Sequence, residues 1–255
     1  MPAVFVGHGN PMNAVRRNAW TAAWAALGRA IPRPRAVLSV SAHWYVRGTR
    51  VTAEQSPKTI HDFGGFPPEL FQVSYPATGS PELARRIQQL LNPTPVAAAN
   101  DWGLDHGTWS VLIHLFPQAD VPVVQLSIDR TQPAKFHHAL GSQLSRLRDE
   151  GVLILGSGNL VHNLEAYAWG DHASAPYGWA VRFEEQVKEL VEARNHAPLL
   201  EYAALGPEAL LSVPTPDHYL PLLYVLGAQR EGERVSFPVS GVDGGSISML
   251  SVQLG

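Results

Sequence analysis

The stretch AVFVGHGNPM, residues 3–12, opens as an unbroken apolar run and stops at a histidine held between two glycines, with Asn-Pro directly after it. A short apolar run bounded by turn residues reads as a buried strand, and the glycines give the chain room for a tight turn that delivers His8. The same figure returns twice. AVLSVSAHW, residues 36–44, carries an apolar run into His43, and VLILGSGNLVH, residues 152–162, carries another into His162. The strands expected from these runs are Ala3–Val6, Ala36–Val40 and Val152–Leu155, with a further one over Val121–Ile128.

Between the runs lie segments with helical spacing of apolar residues: Trp20–Ala30, Pro81–Leu91 and Pro133–Leu147. Ser80 ahead of Pro81, with Glu82 in the first turn, is the composition of a helix start. This alternation predicts an α/β fold: one layered domain over residues 1–255, with a central, largely parallel or mixed sheet flanked by helices. Farther on, helices over Trp179–Ala193 and Asp217–Gly227 precede strands over Arg234–Val239 and Ser246–Val252. The turn-rich segment between those strands predicts an antiparallel pair at one side of the sheet. Thr52–Thr78 shows little periodicity but is rich in Phe and Tyr, as a loop that walls a pocket would be.

The composition narrows the function classes. Hydrophobic residues make up 45% and charged residues 16%, the balance of a globular protein. No apolar run reaches membrane-spanning length, and with a net charge of −3 and no basic cluster there is no footprint for nucleic acid. The opening lacks a signal-peptide pattern, so the cytoplasm is the expected location. The partner expected is a small molecule, bound by a monomer or small homo-oligomer. The chain has no cysteine, which removes disulfides and thiolate metal sites, but it has 11 histidines.

In open α/β sheets, ligands gather beyond the carboxyl ends of the strands, so His8, His43 and His162 should converge on one rim. His218, in PTPDHYLPLLYVLGA, precedes an apolar helix, and His106, in LDHGTWSVL, lies in a loop before another. Without thiols, clustered imidazoles are a natural site for Fe(II) or Zn(II). A histidine taken singly is ordinarily a packed or hydrogen-bonded residue, and His114, His137, His138, His172 and His196 are read that way. His61, inside the aromatic loop, is intermediate. The full dinucleotide fingerprint, the phosphate loop, the serine-hydrolase elbow and a zincin H-E-x-x-H helix are all missing.

The ordered blocks GHGNPM, VSAHWY, TIHDFGGFP, LDHGTWSVL, VQLSID, GSGNLVHNL and PTPDHYLPLLYVLGA, with SISMLSVQ near the end, run through nearly the whole chain. In these blocks the sequence resembles the class III extradiol ring-cleavage dioxygenase superfamily, in its 4,5-DOPA dioxygenase branch. The resemblance implies a non-haem Fe(II) centre, with Zn(II) as another occupant, acting on a small catechol and O2 to give a semialdehyde. His8 and His43 match the family's histidine ligands. His218 stands where the wider superfamily has a glutamate, and Asp217 beside it is an alternative carboxylate ligand. His162 matches the catalytic base and is a candidate fourth ligand, and His106 matches a second pocket histidine, with Asp105 able either to orient its ring or to cap the helix. Phe63, Phe66, Trp44 and Tyr219, with His61, are the candidates for the walls around the substrate ring. Two other readings of the histidines stay open at this stage: a zinc hydrolase using Asp105 or Asp62 as base, and a non-catalytic metal- or aromatic-binding protein.

Overall fold

The computed structural model describes residues 1–255. In chain order the strands are β1 (Ala3–Gly7), β2 (Ala36–Val46), β3 (Thr49–Thr52), β4 (Val96–Ala99), β5 (Val123–Asp129), β6 (Val152–Gly158), β7 (Val235–Val239), β8 (Val242–Asp243), β9 (Ile247–Ser248) and β10 (Ser251–Leu254). The helices are α1 (Ala19–Ala30), α2 (Pro81–Leu90), α3 (His106–Leu115), α4 (Ala134–Leu144), α5 (Gly178–Glu192), α6 (Ala197–Leu200), α7 (Pro207–Ser212) and α8 (Leu220–Gly227).

Eight strands form one mixed sheet in the order β4-β3-β5-β2-β6-β1-β10-β7. Its centre, β5-β2-β6-β1, is parallel. The expected closing pair, β10 and β7, is antiparallel and extends the sheet beyond β1. Side chains alternate between faces along a strand, so β1 feeds two cores. Ala3 and Phe5 join a core built with α4, α5 and α8, whereas Val4 and Val6 join a second core with Trp24 of α1 and Trp109 of α3. Both faces of the sheet are covered, so β1 is apolar throughout, whereas β2 and β5 bury Ser39, Ser41, Gln125 and Ser127, of which Ser39 and Gln125 bond Thr108 and Asp105 at the start of α3.

Several boundaries differ from expectation for visible reasons. β2 runs six residues past Val40 because its pairing with β5 resumes at Tyr45 after an irregularity, and His43 sits inside that break. β3 and β4 are four-residue strands at one side of the sheet, too short and, in β4, too alanine-rich to show a strand pattern. The run Ser246–Val252 breaks in two: β9 closes a small hairpin with β8, and only β10 enters the large sheet. The helix expected from Asp217 starts at Leu220, which puts Pro221 in the first turn, where its missing N–H costs nothing. The Thr52–Thr78 loop is irregular apart from a 3-10 turn at Pro68–Gln72, pinned where Thr59 pairs with Leu104 and its hydroxyl receives the Tyr75 N–H.

Candidate metal centre

The parallel strands do bring their histidines to one rim. His8 follows β1, and its backbone N–H donates to the Gly158 carbonyl at the end of β6, which fixes the turn. His218 lies just before α8, whose first turn presses onto β6. A side chain at Gly158 would collide with the His218 carbonyl, and one at Gly156 would meet that of Pro221. Bare backbone on β6 is therefore what lets His218 sit close enough to reach His8.

Each of the three imidazoles has a partner behind it. Ser157 donates its hydroxyl proton to the Gly107 carbonyl at 2.5 Å, so at its 3.0 Å contact with His8 Nδ1 it can only accept. His8 thus carries its proton on Nδ1 and turns a bare Nε2 to the cavity. Asp217 Oδ2, 2.5 Å from His218 Nδ1, imposes the same tautomer on His218. Asp62 Oδ2 lies 3.7 Å from His43 Nδ1. On the other side the donor atoms of His8, His43 and His218 all lie within 4.8 Å of one another, and the Nε2 atoms of His8 and His43 are 3.2 Å apart. Nitrogen lone pairs crowded this way in a buried pocket call for a cation between them, and oriented neutral imidazoles are a metal-binding set. Burial, with the neighbouring imidazoles, holds His8 and His43 well below the usual histidine pKa, so both stay unprotonated and able to ligate.

Asp217, the alternative carboxylate ligand, is occupied as the support of His218. Burial pushes its pKa up, but the His218 hydrogen bond and charge outweigh this and hold it far below the carboxylate range. His162 is a candidate fourth ligand in the sequence, but it falls outside the convergent trio. It stacks flat on His218 with ring centroids 3.5 Å apart and also faces the cavity. Desolvation, and then His218, lower its pKa well below the usual value and keep it neutral.

His106 opens α3 rather than lying in a loop. Asp105 turns out to be the helix cap: it accepts the Thr108 N–H and the Gln125 amide. The carboxylate that orients His106 is Asp62, whose Oδ1 accepts the His106 backbone N–H at 2.9 Å while Oδ2 lies 3.0 Å from His106 Nδ1. Burial raises the Asp62 pKa, but the His106 contacts outweigh it, so Asp62 stays ionised. Both its oxygens are thus committed, and neither is free to activate a water as a hydrolase base would.

Above the imidazoles lies a cavity of about 230 Å³. Phe63 and Phe66 line it, joined by Asn10, Leu164, Tyr167, Trp169 and Ile247. Trp44 and Tyr219 do not. Trp44 follows His43 on a strand and so points to the opposite face, where it stacks on Trp102 at 5.6 Å. Tyr219 turns into the core, and its hydroxyl donates to the Leu199 carbonyl. His61 also stays outside the wall. Its Nε2 meets the Val73 carbonyl at 3.0 Å, and its ring packs edge-on against Phe63, which it holds in place. Tyr167 and Trp169 gave no sequence signal, because they lie in an irregular stretch between GSGNLVHNL and α5. Asn10 could have been found inside the GHGNPM block.

A family model for the catalytic LigB subunit of aromatic ring-opening dioxygenase matches residues 5–244. The chain is 52% identical to a 4,5-DOPA dioxygenase extradiol of Escherichia coli (strain K12), over 100% of its own length and 95% of the relative's. It is 35% identical to a 4,5-DOPA dioxygenase extradiol of Beta vulgaris, covering 96% and 92% of the two chains. The crystal structure of an uncharacterized protein from Escherichia coli K12 superposes with a TM-score of 0.88 at 48% identity, over 100% of both chains. No helix is long and apolar enough to cross a membrane.

Proposed function

The chain belongs to the family of the catalytic LigB subunit of aromatic ring-opening dioxygenases and is an extradiol dioxygenase, and from that premise we propose that it opens the ring of a DOPA-like catechol with Fe(II) held by His8, His43 and His218. The observation that carries this reading is the trio of Nε2 atoms converging at the floor of an aromatic-walled cavity, each backed by Ser157, Asp62 or Asp217. In this reading residues 1–255 form one catalytic domain, acting in the cytoplasm as a monomer or small homo-oligomer on a small catechol and O2.

When bound, the metal supplies Lewis acidity toward the catechol oxygens and the electron access that O2 needs to react with a closed-shell ring. The remaining work belongs to side chains. Phe63 and Phe66 hold the ring face and exclude water from it. His162, neutral and beside the trio, accepts a catechol hydroxyl proton and returns it to the ring-opened product. His106, its ring held by Asp62, turns its other nitrogen across the cavity and accepts a hydrogen bond from a substrate hydroxyl. The same all-imidazole set suits Zn(II), which would occupy the site without supporting the oxidation.

Anaerobic loading with Fe(II) or Zn(II), followed by oxygen uptake across a panel of catechols, tests the reading. Uptake with Fe(II) alone, together with a yellow semialdehyde product, is expected; no uptake with any catechol would overturn it. His162→Ala should retain metal and lose turnover, and an active His162→Ala would remove His162 from the role of base.

A further inference from the structure

The wall of the catalytic cavity contains no lysine or arginine. Beside it runs a groove of about 500 Å³ that contains Arg16 and Arg17, and Asn10 lines both spaces. Tyr167 is the partition. Its ring faces the cavity, while its hydroxyl donates to Asp243 Oδ2 at 2.7 Å on the groove side. The partition is fixed from behind: Gly244, at a φ of +52°, lies so close to the ring that any side chain there would overlap it.

On the groove side, His172 Nδ1 lies 3.1 Å from the same Asp243 oxygen, and its Nε2 lies 3.2 Å from Arg16 Nη1. A guanidinium can only donate, so His172 Nε2 accepts from Arg16, and the ring proton sits on Nδ1, toward Asp243. Arg16 is thereby positioned by a neutral acceptor, and its charge is left uncompensated. Neither Arg16 nor Arg17 is among the arginines that pair with a carboxylate. The groove therefore presents two free positive charges and, a short way off, one carboxylate.

We propose that this groove is the tail subsite of the catalytic cavity and takes an α-amino-acid group borne on the catechol ring: the carboxylate against Arg16 and Arg17, the ammonium against Asp243. The assignment rests on the reading of the cavity as a catechol site. A zwitterionic tail cannot be buried against Phe63, Phe66 and Ile247 without countercharges, and passing Asn10 takes it to a surface of matching charge. A ring substituent that is only apolar gains nothing there.

The test uses Fe(II)-loaded protein and four catechols: L-DOPA, dopamine, 3-(3,4-dihydroxyphenyl)propionate and 4-methylcatechol. Arg16→Gln should lower the ratio of kcat/KM for L-DOPA to that for 4-methylcatechol by about 30-fold, the size expected for one lost hydrogen bond to a charged group, with the change in KM rather than kcat. Arg16→Glu should go further and turn the preference toward dopamine over the propionate. Anaerobic affinity, read from quenching of tryptophan fluorescence, should weaken for L-DOPA by the same factor. Arg16 is exposed, so both variants should melt like the parent. Ratios unmoved in both variants, while both catechols are still turned over, would overturn the subsite and leave the dioxygenase reading standing. No turnover of any catechol by the unaltered protein would remove both.

Discussion

At the carboxyl ends of β1, β2 and β6 five imidazoles face one another across a cavity, whereas at the opposite end of the same sheet a single buried cation has every donor occupied. Arg148, 2% exposed, donates to the carbonyls of Met1, Ala228 and Leu254 and forms a two-pronged pair with Glu233. It thereby ties β1, α8 and β10 together at their far ends. Nothing is left over there for a ligand. At the histidine end, Ser157 and Asp217 satisfy one ring nitrogen each of His8 and His218, Asp62 stands farther off behind His43, and the nitrogens on the cavity side are left bare. Buried polar groups stabilise a fold when saturated and create a site when they are not, and this sheet keeps the two conditions at opposite ends.

The comparison can be broken most directly at the imidazoles. His8→Ala should abolish metal uptake, measured as metal per chain after anaerobic loading, yet leave the melting temperature of the metal-free protein nearly unchanged. A large fall in that temperature would mean that the site end also holds the fold. The converse change, Arg148→Met, strands Glu233 and three carbonyls and should cost about 3 to 5 kcal/mol in urea unfolding, while metal per folded chain stays the same. Gly158→Ala couples the two conditions, because the new methyl pushes on the His218 carbonyl. It should cost about 1 to 3 kcal/mol and weaken metal binding as well, so a loss of stability with unchanged metal affinity would detach α8 from the site. Asp62→Asn, which keeps the shape but removes the charge facing His43 and His106, should lower metal affinity roughly tenfold, by titration against a chelator.

The smallest effect concerns histidines outside the rim. Burial pushes His137 and His196 down to about 4, from 6.5 when unfolded. The unfolded chain therefore binds more protons than the native one between those values. Stability of the metal-free protein should be flat above pH 6.5 and decline as the pH falls toward 4. Urea midpoints across that range check this, and His196→Gln should make the decline shallower.

The strands that carry His8, His43 and His162 were legible because each opens on a run of mostly apolar residues, and small or turn residues follow the run before the histidine. The same logic explains the misses. Trp44 was a reasonable wall residue by proximity to His43, but the two-residue repeat of a strand sends neighbours to opposite faces, and β2 continues further than its apolar run shows. Tyr219 failed for the corresponding reason in a helical turn. The backing groups Ser157 and Asp62 were invisible in that role, because each meets its imidazole across the sheet or from a distant loop: Ser157 is 149 residues from His8. Tyr167 lies in an irregular segment and Asp243 in the two-residue strand β8, and neither stretch is long enough in period for the sequence to assign a side chain to a face. What spacing along one strand dictates can be read from the sequence; what two distant backbones decide together cannot.

The position of β1 between β6 and β10 also sets an order of events in the folding of the chain. Both partners of the strand that delivers His8 lie far along the sequence, so each pairing closes a long loop, and β1 is a late rather than an early piece of finished sheet. His8 and His43 precede His218 in the chain and are synthesised before it. The proposed trio therefore cannot close on a metal until the chain has been made as far as α8 and the sheet has brought its distant strands together.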